Sequence, residues 1–574
     1  MTTVATAGSA DPALPALAFD GREVRRALRI ACDVVVVGSG PAGATVARSL
    51  ARAGVDVVVV EEGHPAPAAG FGASGLRAMA ALYREMGTSI AFGRAPMPYL
   101  QGRALGGTSV VNGAISWDFP PEVHRAWVAA DPALGDAVPF DELAEAQAEL
   151  SARLQILPTE PATAGRKNLL LEAGARALGV DARPIRRNVA GCEGLGRCLQ
   201  GCPKGAKLSV DRTLLPDAVA AGARIVTGVR VTRVLHEPRR PDPGSPGTTS
   251  PGTASPSTAP TGAATVDIAP AGIARTGAPG AARRRGARVA YGVVGVAAGG
   301  GTAEVRARRA VVLAASAIQT PVLLRESGLV RGPVGDRLSA HPGVSVTGRF
   351  DEPVRNWRGA TQGAEVTGYR SEGLKLEALG FDLSILASRL PGVGAELARR
   401  VAEIERYAVW GAAIRAEGLG TVRPAGVRVG ERGRLGLPSP LVRYELTAGD
   451  VRRARRGVRR LGELLFAAGA REVYPGVAGF DPVVTDPRRM AAIEDEGPLD
   501  ARAYAMSMTH LFGTARMGSD PAHAVVRPDF RHHDVEGLYV ADSSVFPTNL
   551  GVNPQLPIMA MAALCARRIA VACA

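Results

Sequence analysis

The sequence predicts an α/β fold opened by a dinucleotide-binding β-α-β unit, and three observations near the N-terminus carry that reading. Asp33-Val34-Val35-Val36-Val37 is a buried strand, Gly38-Ser39-Gly40-Pro41-Ala42-Gly43 turns into a helix over Ala42 to Ala53, and Val57 to Val60 is a second strand ending on Glu61. Unbroken β-branched runs suit parallel strands covered on both faces. Gly38 permits the tight turn, Gly40 lets the backbone approach a pyrophosphate at the positive helix end, and Gly43 brings helix and strand close. The Glu61 carboxylate can accept bonds from ribose hydroxyls. An acidic strand end suits FAD and NAD equally, so other motifs must choose between them.

A chain of 574 residues allows two to four domains at roughly 100 to 200 residues each. Its 46% hydrophobic and 21% charged residues fit a soluble globular protein, and 70 Gly with 42 Pro predict many turns. The formal charge of +14 raises the question of a polyanionic partner. Only four Lys are present (Lys167, Lys204, Lys207, Lys375), and the Arg residues are scattered, with short runs such as Arg283-Arg284-Arg285. No nucleic-acid partner is expected from that arrangement; an Arg-rich compositional bias or contact with an acidic membrane surface remains. Met1 to Asp20 has no basic leader with an apolar core, and no stretch approaches a clean membrane span of about 20 residues. Six Cys in so long a chain make no disulfide framework, and the expected compartment is the cytoplasm.

After a polar lead-in over 1–30 and the β-α-β unit, Arg230 to Leu235 and Ala287 to Val296 alternate like paired strands. Between them, 237–285 is Pro, Gly, Ser, Thr and Ala with almost no large apolar residue, which reads as a disordered insertion in an overgrown hairpin. Val311 to Ala314 is a further buried strand, followed by a helix start over Pro321 to Ser327. The stretch from Val344 to Val477 mixes strands and amphipathic helices without a recognisable site, and by elimination faces the substrate.

Gly102-Arg103-Ala104-Leu105-Gly106-Gly107-Thr108-Ser109-Val110-Val111-Asn112-Gly113 is a second Gly-rich loop whose backbone N–H groups can wrap a pyrophosphate or a flavin edge. It resembles the flavin-side loop of the glucose-methanol-choline (GMC) oxidoreductase family, and the opening fingerprint is similar to that family's too. Val311 to Gly328 resembles the family's second signature, with Ser316 where Gly is usual. His510 to Gly518, Leu538 to Ser544 and Gly551-Val552-Asn553-Pro554 follow in the family's order and spacing. The resemblance runs from about residue 31 to 572 and is weakest in the insertion and the middle region.

That resemblance implies a Rossmann-like FAD-binding domain built from the discontinuous segments 31–115, 205–343 and 505–574. It also implies a cap region over 116–204 and an α+β substrate domain with an antiparallel sheet over 344–504. It implies FAD contacts at Gly38, Gly40, Pro41, Ala42, Gly43, Glu61 and Glu62, and at Gly102, Arg103, Gly106, Gly107, Thr108, Asn112 and Gly113. Further contacts are implied at Val231, Ala315, Asp542, Ser543, Asn553, Pro554 and Gln555. Where some members attach FAD through a His, this chain has Val111, so non-covalent FAD is expected.

The match places His510 by the flavin as catalytic base and Asn553 in the second polar position. Chemistry supports both. Alcohol oxidation removes a proton and a hydride; a neutral imidazole is tuned to take the proton near pH 7, and an amide N–H can stabilise a developing alkoxide. The plainer readings are a satisfied core histidine at 510 and, at Asn553-Pro554, a cap on the apolar helix running to about Val571. Such a helix would point its positive end at the flavin. His523, His532 and His533 sit in polar sequence and are expected at the surface.

Cys192, Cys198 and Cys202, before Pro203-Lys204-Gly205-Ala206-Lys207, resemble a segment of the subgroup containing long-chain alcohol oxidases and cholesterol-oxidase-like proteins. Three thiols can pack a turn, form a disulfide, or hold a [3Fe-4S] cluster as some flavin dehydrogenases of the superfamily do at this spacing. The expected activity is oxidation of an alcohol, long-chain or sterol-like by subgroup resemblance, with oxygen, a quinone or a protein as electron acceptor. The alternatives are a sugar or polyol dehydrogenase using an iron-sulfur cluster, and a flavoprotein kept only as a binding module. An apolar entrance would permit peripheral membrane contact.

Overall fold

The computed structural model describes residues 16–71, 74–239, 288–425, 427–429, 433–435 and 440–573. Most of the expected insertion, from residue 240 on, and the first fifteen residues of the lead-in lie outside them.

The valine runs form the centre of the first sheet. β1 (Ala27–Val37) feeds α1 (Pro41–Arg52), which has Pro41 in its first turn, and β2 (Val57–Val60) returns parallel to β1 with Val34 opposite Val57. β3 (Arg224–Thr227) extends this edge. The expected hairpin is present as β4 (Val229–Pro238) and β5 (Arg288–Ala297), antiparallel and carrying two register shifts. β6 (Thr302–Leu313) lies parallel to β1, giving the order β3-β2-β1-β6-β5-β4.

The next helix, α2 (Ser316–Glu326), begins five residues before the expected start and carries Pro321 in its interior. Proline has no N–H, so the Ala317 carbonyl four residues back loses its helical donor. The Thr514 hydroxyl donates to it at 2.6 Å.

A second, antiparallel sheet holds β7 (Ser339–Arg349), β8 (Ala364–Val366), β9 (Leu374–Leu379) and β10 (Tyr407–Ile414). α3 (Ala448–Ala467) covers one face; Thr447 and Asp450 close its N-terminus with a reciprocal capping box. β7 runs through the boundary expected at 343/344. Its first half pairs with β11 (Ser507–Phe512), which was expected in the FAD-binding part.

β12 (Leu538–Val540) returns to the first sheet beside β6. α4 (Gln555–Cys573) corrects the sequence expectation on membrane spans, because it is long and apolar enough to cross one by length and composition. Most of it is buried, and it packs against α1 and Phe140–Arg153. Its apolarity is that of a core helix.

His523 is exposed and His533 half-buried, but His532 is 4% exposed, against expectation. The chain curls there so that the His532 N–H donates to the Leu538 carbonyl, while Nδ1 accepts from the Asp534 N–H at 3.1 Å. Polar neighbours in sequence did not mean solvent in space.

Candidate active site

A cavity of about 1620 Å³ is lined by residues of both sheets. Small-molecule sites are commonly about 300 to 1,000 Å³, so this one has room for a dinucleotide and a second ligand together.

At one end lies the glycine cradle. Gly38 has φ +98°, and a Cβ there would come within 2.5 Å of the Ala314 carbonyl oxygen; one on Gly43 would lie 1.9 Å from that of Gly38. Those two glycines serve the chain's own packing. Gly40 differs: nothing lies within 4 Å of where its Cβ would be. Gly107, at φ +55°, approaches so closely that its Cβ would sit 2.9 Å from the Gly40 Cα. The two Gly-rich loops therefore meet across an open space at the start of α1, where backbone N–H groups and the helix dipole favour phosphate.

Pro41, Ala42, Glu62, Gly102, Thr108, Gly113, Val231, Ala315, Ser543 and Pro554 line the cavity. Gly43, Arg103 and Gly106 do not. Gly106 instead donates its N–H to the Ser39 hydroxyl at 3.0 Å, and Arg103 is exposed, its backbone held by the Leu82 carbonyl.

The expected carboxylates line the cavity but already have work within the chain. Glu61 accepts from the Ser39 N–H at 2.9 Å, the Ser39 hydroxyl at 2.7 Å and the Gly63 N–H at 2.7 Å, and burial raises its pKa. It ties the fingerprint loop down. Asp542 accepts from the Ser316 N–H at 2.9 Å, the Thr320 hydroxyl and the Ser544 N–H at 2.8 Å; burial raises its pKa too. Asn112 and Gln555 bond to each other through their side-chain amides. The open cradle at Gly40 and the partnerless, buried Asn553 Oδ1 at the other end are what a bound flavin dinucleotide requires.

Strand pairing assembles the other end. β7 and β11 run antiparallel with a register irregularity between Ala340 and Pro342, which turns His341 toward His510. Their Nδ1 atoms lie 3.2 Å apart with the rings edge to face. His510 Nε2 lies 3.3 Å from the Asn553 amide nitrogen. Burial, and then the charge of Lys375, holds the His510 pKa down at about 3; burial and His510 itself push His341 well below its usual range. Both imidazoles are neutral near pH 7.

The Gly551 N–H donates to His341 Nε2 at 2.7 Å. That assigns the His341 proton to Nδ1, where it points at His510 Nδ1, and leaves the His510 proton on Nε2, so that Nε2–H and the Asn553 amide N–H are two neighbouring donors and not partners of one another. Asn553 thus belongs to the His510 site, with its amide at the imidazole. Lys375, 3.3 Å from Glu365 and also paired with Glu377, holds a buried charge cluster beside them. His341 and Lys375 escaped the sequence reading because neither lies in a recognisable motif; only the pairing of β7 with β11 and β10 brings them to His510.

Of the three readings open for the cysteine cluster, free thiols packed in a turn agree with the structure, and nothing among the described residues supports the iron-sulfur alternative. The Arg187 guanidinium, itself buried, donates to Cys198 Sγ at 3.2 Å and toward Cys192 Sγ at 3.8 Å. Burial opposes ionisation of Cys198, yet Arg187 and Lys207 together lower its pKa. All six cysteines are free, and no group of three or more His, Cys, Asp or Glu among the described residues is arranged to hold a metal. The thiols face an arginine that competes for the sulfur lone pairs.

Comparison with known proteins agrees with this geometry. Models of the GMC oxidoreductase family match residues 79–246 with 280–343 and 423–562, and an FAD binding domain model matches 33–90. An uncharacterized GMC-type oxidoreductase of Mycobacterium tuberculosis is 36% identical over 95% of this chain and 76% of that protein. Long-chain-alcohol oxidase FAO4A of Arabidopsis thaliana is 26% identical over 93% of this chain and 68% of its own length. Among solved structures, pyridoxine 4-oxidase from Mesorbium loti matches with a TM-score of 0.61 at 19% identity, covering 93% of this chain and 98% of that one. With the cradle, the two-sheet architecture and these likenesses in agreement, the chain belongs to the GMC oxidoreductase family of FAD-dependent enzymes.

Proposed function

We propose that this enzyme oxidises the CH–OH carbon of an alcohol to a carbonyl, with FAD held non-covalently. The observation that carries the reading is the pair of His510 Nε2 and the Asn553 amide, 3.3 Å apart at the end of the cavity away from the phosphate cradle. Two polar groups converging in a buried site can hold one hydroxyl oxygen. FAD, when bound, supplies the hydride acceptor. The names of the Arabidopsis oxidases and of pyridoxine 4-oxidase support an alcohol donor. Val344, Leu379, Phe381 and Ile385 in the wall favour an apolar substrate body.

In the resting arrangement His510 meets the substrate oxygen with its Nε2–H. To take the hydroxyl proton at Nε2, His510 must first carry its own proton on Nδ1, and His341 must then surrender the Gly551 bond. Proton removal and the His341 tautomer are thereby linked. Anaerobic mixing of the flavin-loaded protein with primary and secondary alcohols tests the reading: bleaching of the flavin band is expected. Reduction by dithionite but by no alcohol overturns it, and peroxide formed in air identifies oxygen as the acceptor.

A further inference from the structure

Among the arginines that line the cavity, Arg84 pairs with Glu62 and Arg230 and Arg233 are exposed, whereas Arg389 is half-buried and no carboxylate among the described residues pairs with it. Its Nη1 donates to Ser345 Oγ at 2.7 Å, and its guanidinium lies 5.8 Å from the Phe381 ring centre. It is held firmly, because the neighbouring Leu386 and Leu390 are buried in a cluster with Tyr407 and Val409. Two carboxylates of the same cavity, Glu377 and Asp382, are otherwise engaged. Glu377 is neutralised by Lys375 and accepts from Gln362; Asp382 caps the short helix Leu383–Ala387 and accepts from Gln200. A desolvated guanidinium without a counter-charge is costly in a resting protein and is a ready carboxylate receptor.

Its place in the fold gives the ligand's length. Ser345 and His341 are four residues apart on β7, which at about 3.3 Å per residue separates the two by roughly 13 Å. Val344, Leu379, Phe381 and Ile385, all apolar, line the same cavity. We propose that Arg389 anchors the carboxylate of a hydroxy acid whose aliphatic chain spans from Ser345 to the His510 end, where its hydroxyl is presented. This inference rests on the alcohol reading above and names its substrate class.

The test compares ω-hydroxydodecanoate with its methyl ester on the flavin-loaded enzyme, in the wild type and in Arg389→Ala and Arg389→Lys. The wild type is expected to favour the acid in kcat/KM by about ten- to a hundredfold, the range of one hydrogen bond to a charged group. That ratio should fall to about one in Arg389→Ala and lie between in Arg389→Lys. Dodecanoate, which carries no hydroxyl, supplies a readout free of turnover: its perturbation of the flavin absorbance should need at least about tenfold more ligand in Arg389→Ala. Equal kcat/KM for acid and ester in the wild type, or an acid preference that survives Arg389→Ala, overturns the anchor. Dodecanoate binding that depends on Arg389, with no alcohol reducing the flavin, upholds the anchor and sinks the alcohol reading instead.

Discussion

The two ends of the cavity are built in opposite ways. The phosphate cradle comes from Gly38, Gly40 and Gly43 on one turn, joined by Gly107 from a second short loop. The reacting end draws His341, Lys375, His510 and Asn553 from four separate segments, brought together by antiparallel pairing and the entry to α4. A local motif is held by its own backbone and tolerates change elsewhere. A site assembled by register depends on every strand that sets it.

That contrast can be broken from either side. Gly40→Val should have the largest effect: a Cβ there has no protein atom within 4 Å, so the fold is expected to survive while the cradle fills. The purified variant should unfold at the temperature of the flavin-free wild type and carry no flavin; flavin retained at normal occupancy would show that the cofactor's phosphates lie elsewhere. At the reacting end, His510→Ala should keep FAD and slow flavin reduction by about 10² to 10⁴-fold, the usual share of a proton-handling group. Unchanged reduction would remove His510 from the mechanism. His341→Ala acts only through His510 and should cost less, about tenfold. It should also shift the pH profile of flavin reduction; a lower rate with an unshifted profile would mean that His341 merely packs.

Stability should carry the same signature. His510 and His532 have pKa values held down to about 3 and about 4 by burial, whereas an unfolded histidine titrates near 6.5. Between those values the unfolded chain binds protons that the folded one does not. Their contribution is therefore complete above about pH 6.5 and is lost as pH falls, by on the order of 1.4 kcal/mol per pH unit for each group. Thermal midpoints at pH 7.5 and 5 should differ less in His532→Gln than in the wild type, and an equal difference would mean that His532 is solvated. The smallest expected effect is at Ser316, which holds φ +90° where an L side chain is strained. Ser316→Gly should raise stability by about 1 kcal/mol, less what is lost with the bonds its hydroxyl accepts from Gln101 and, more weakly, from the Ile318 and Gln319 N–H groups. A lower denaturant midpoint would mean that these bonds together outweigh the strain.

Much of the cofactor half was legible in advance because its chemistry is contiguous. Four valines in a row demand a strand covered on both faces, and the glycines after them are required by approaches as close as 1.9 Å, which no side chain permits. The hairpin flanking the insertion was legible for a similar reason, since alternation survives any loop between the strands. Glu61 and Asp542 line the cavity, but their oxygens also brace the chain, something residue type and spacing do not reveal. Pro321 misled because its helix-breaking cost is met by a hydroxyl from nearly 200 residues away. The cysteine spacing left packed thiols, a disulfide and a metal cluster all open because the sequence does not show that Arg187 would face the sulfurs.

By itself, then, the sequence determined the parallel sheet, its phosphate-binding turn and the identity of His510 and Asn553 as candidates, because each rests on residues adjacent along the chain or on a motif. Only the tertiary structure decided that His510 is backed by His341, that its proton is steered by a glycine N–H, and that Arg389 in the cavity wall pairs with no carboxylate among the described residues. Those are properties of distance and burial between strands, and strand register is settled by the packing of whole sheets rather than by any short stretch of residues.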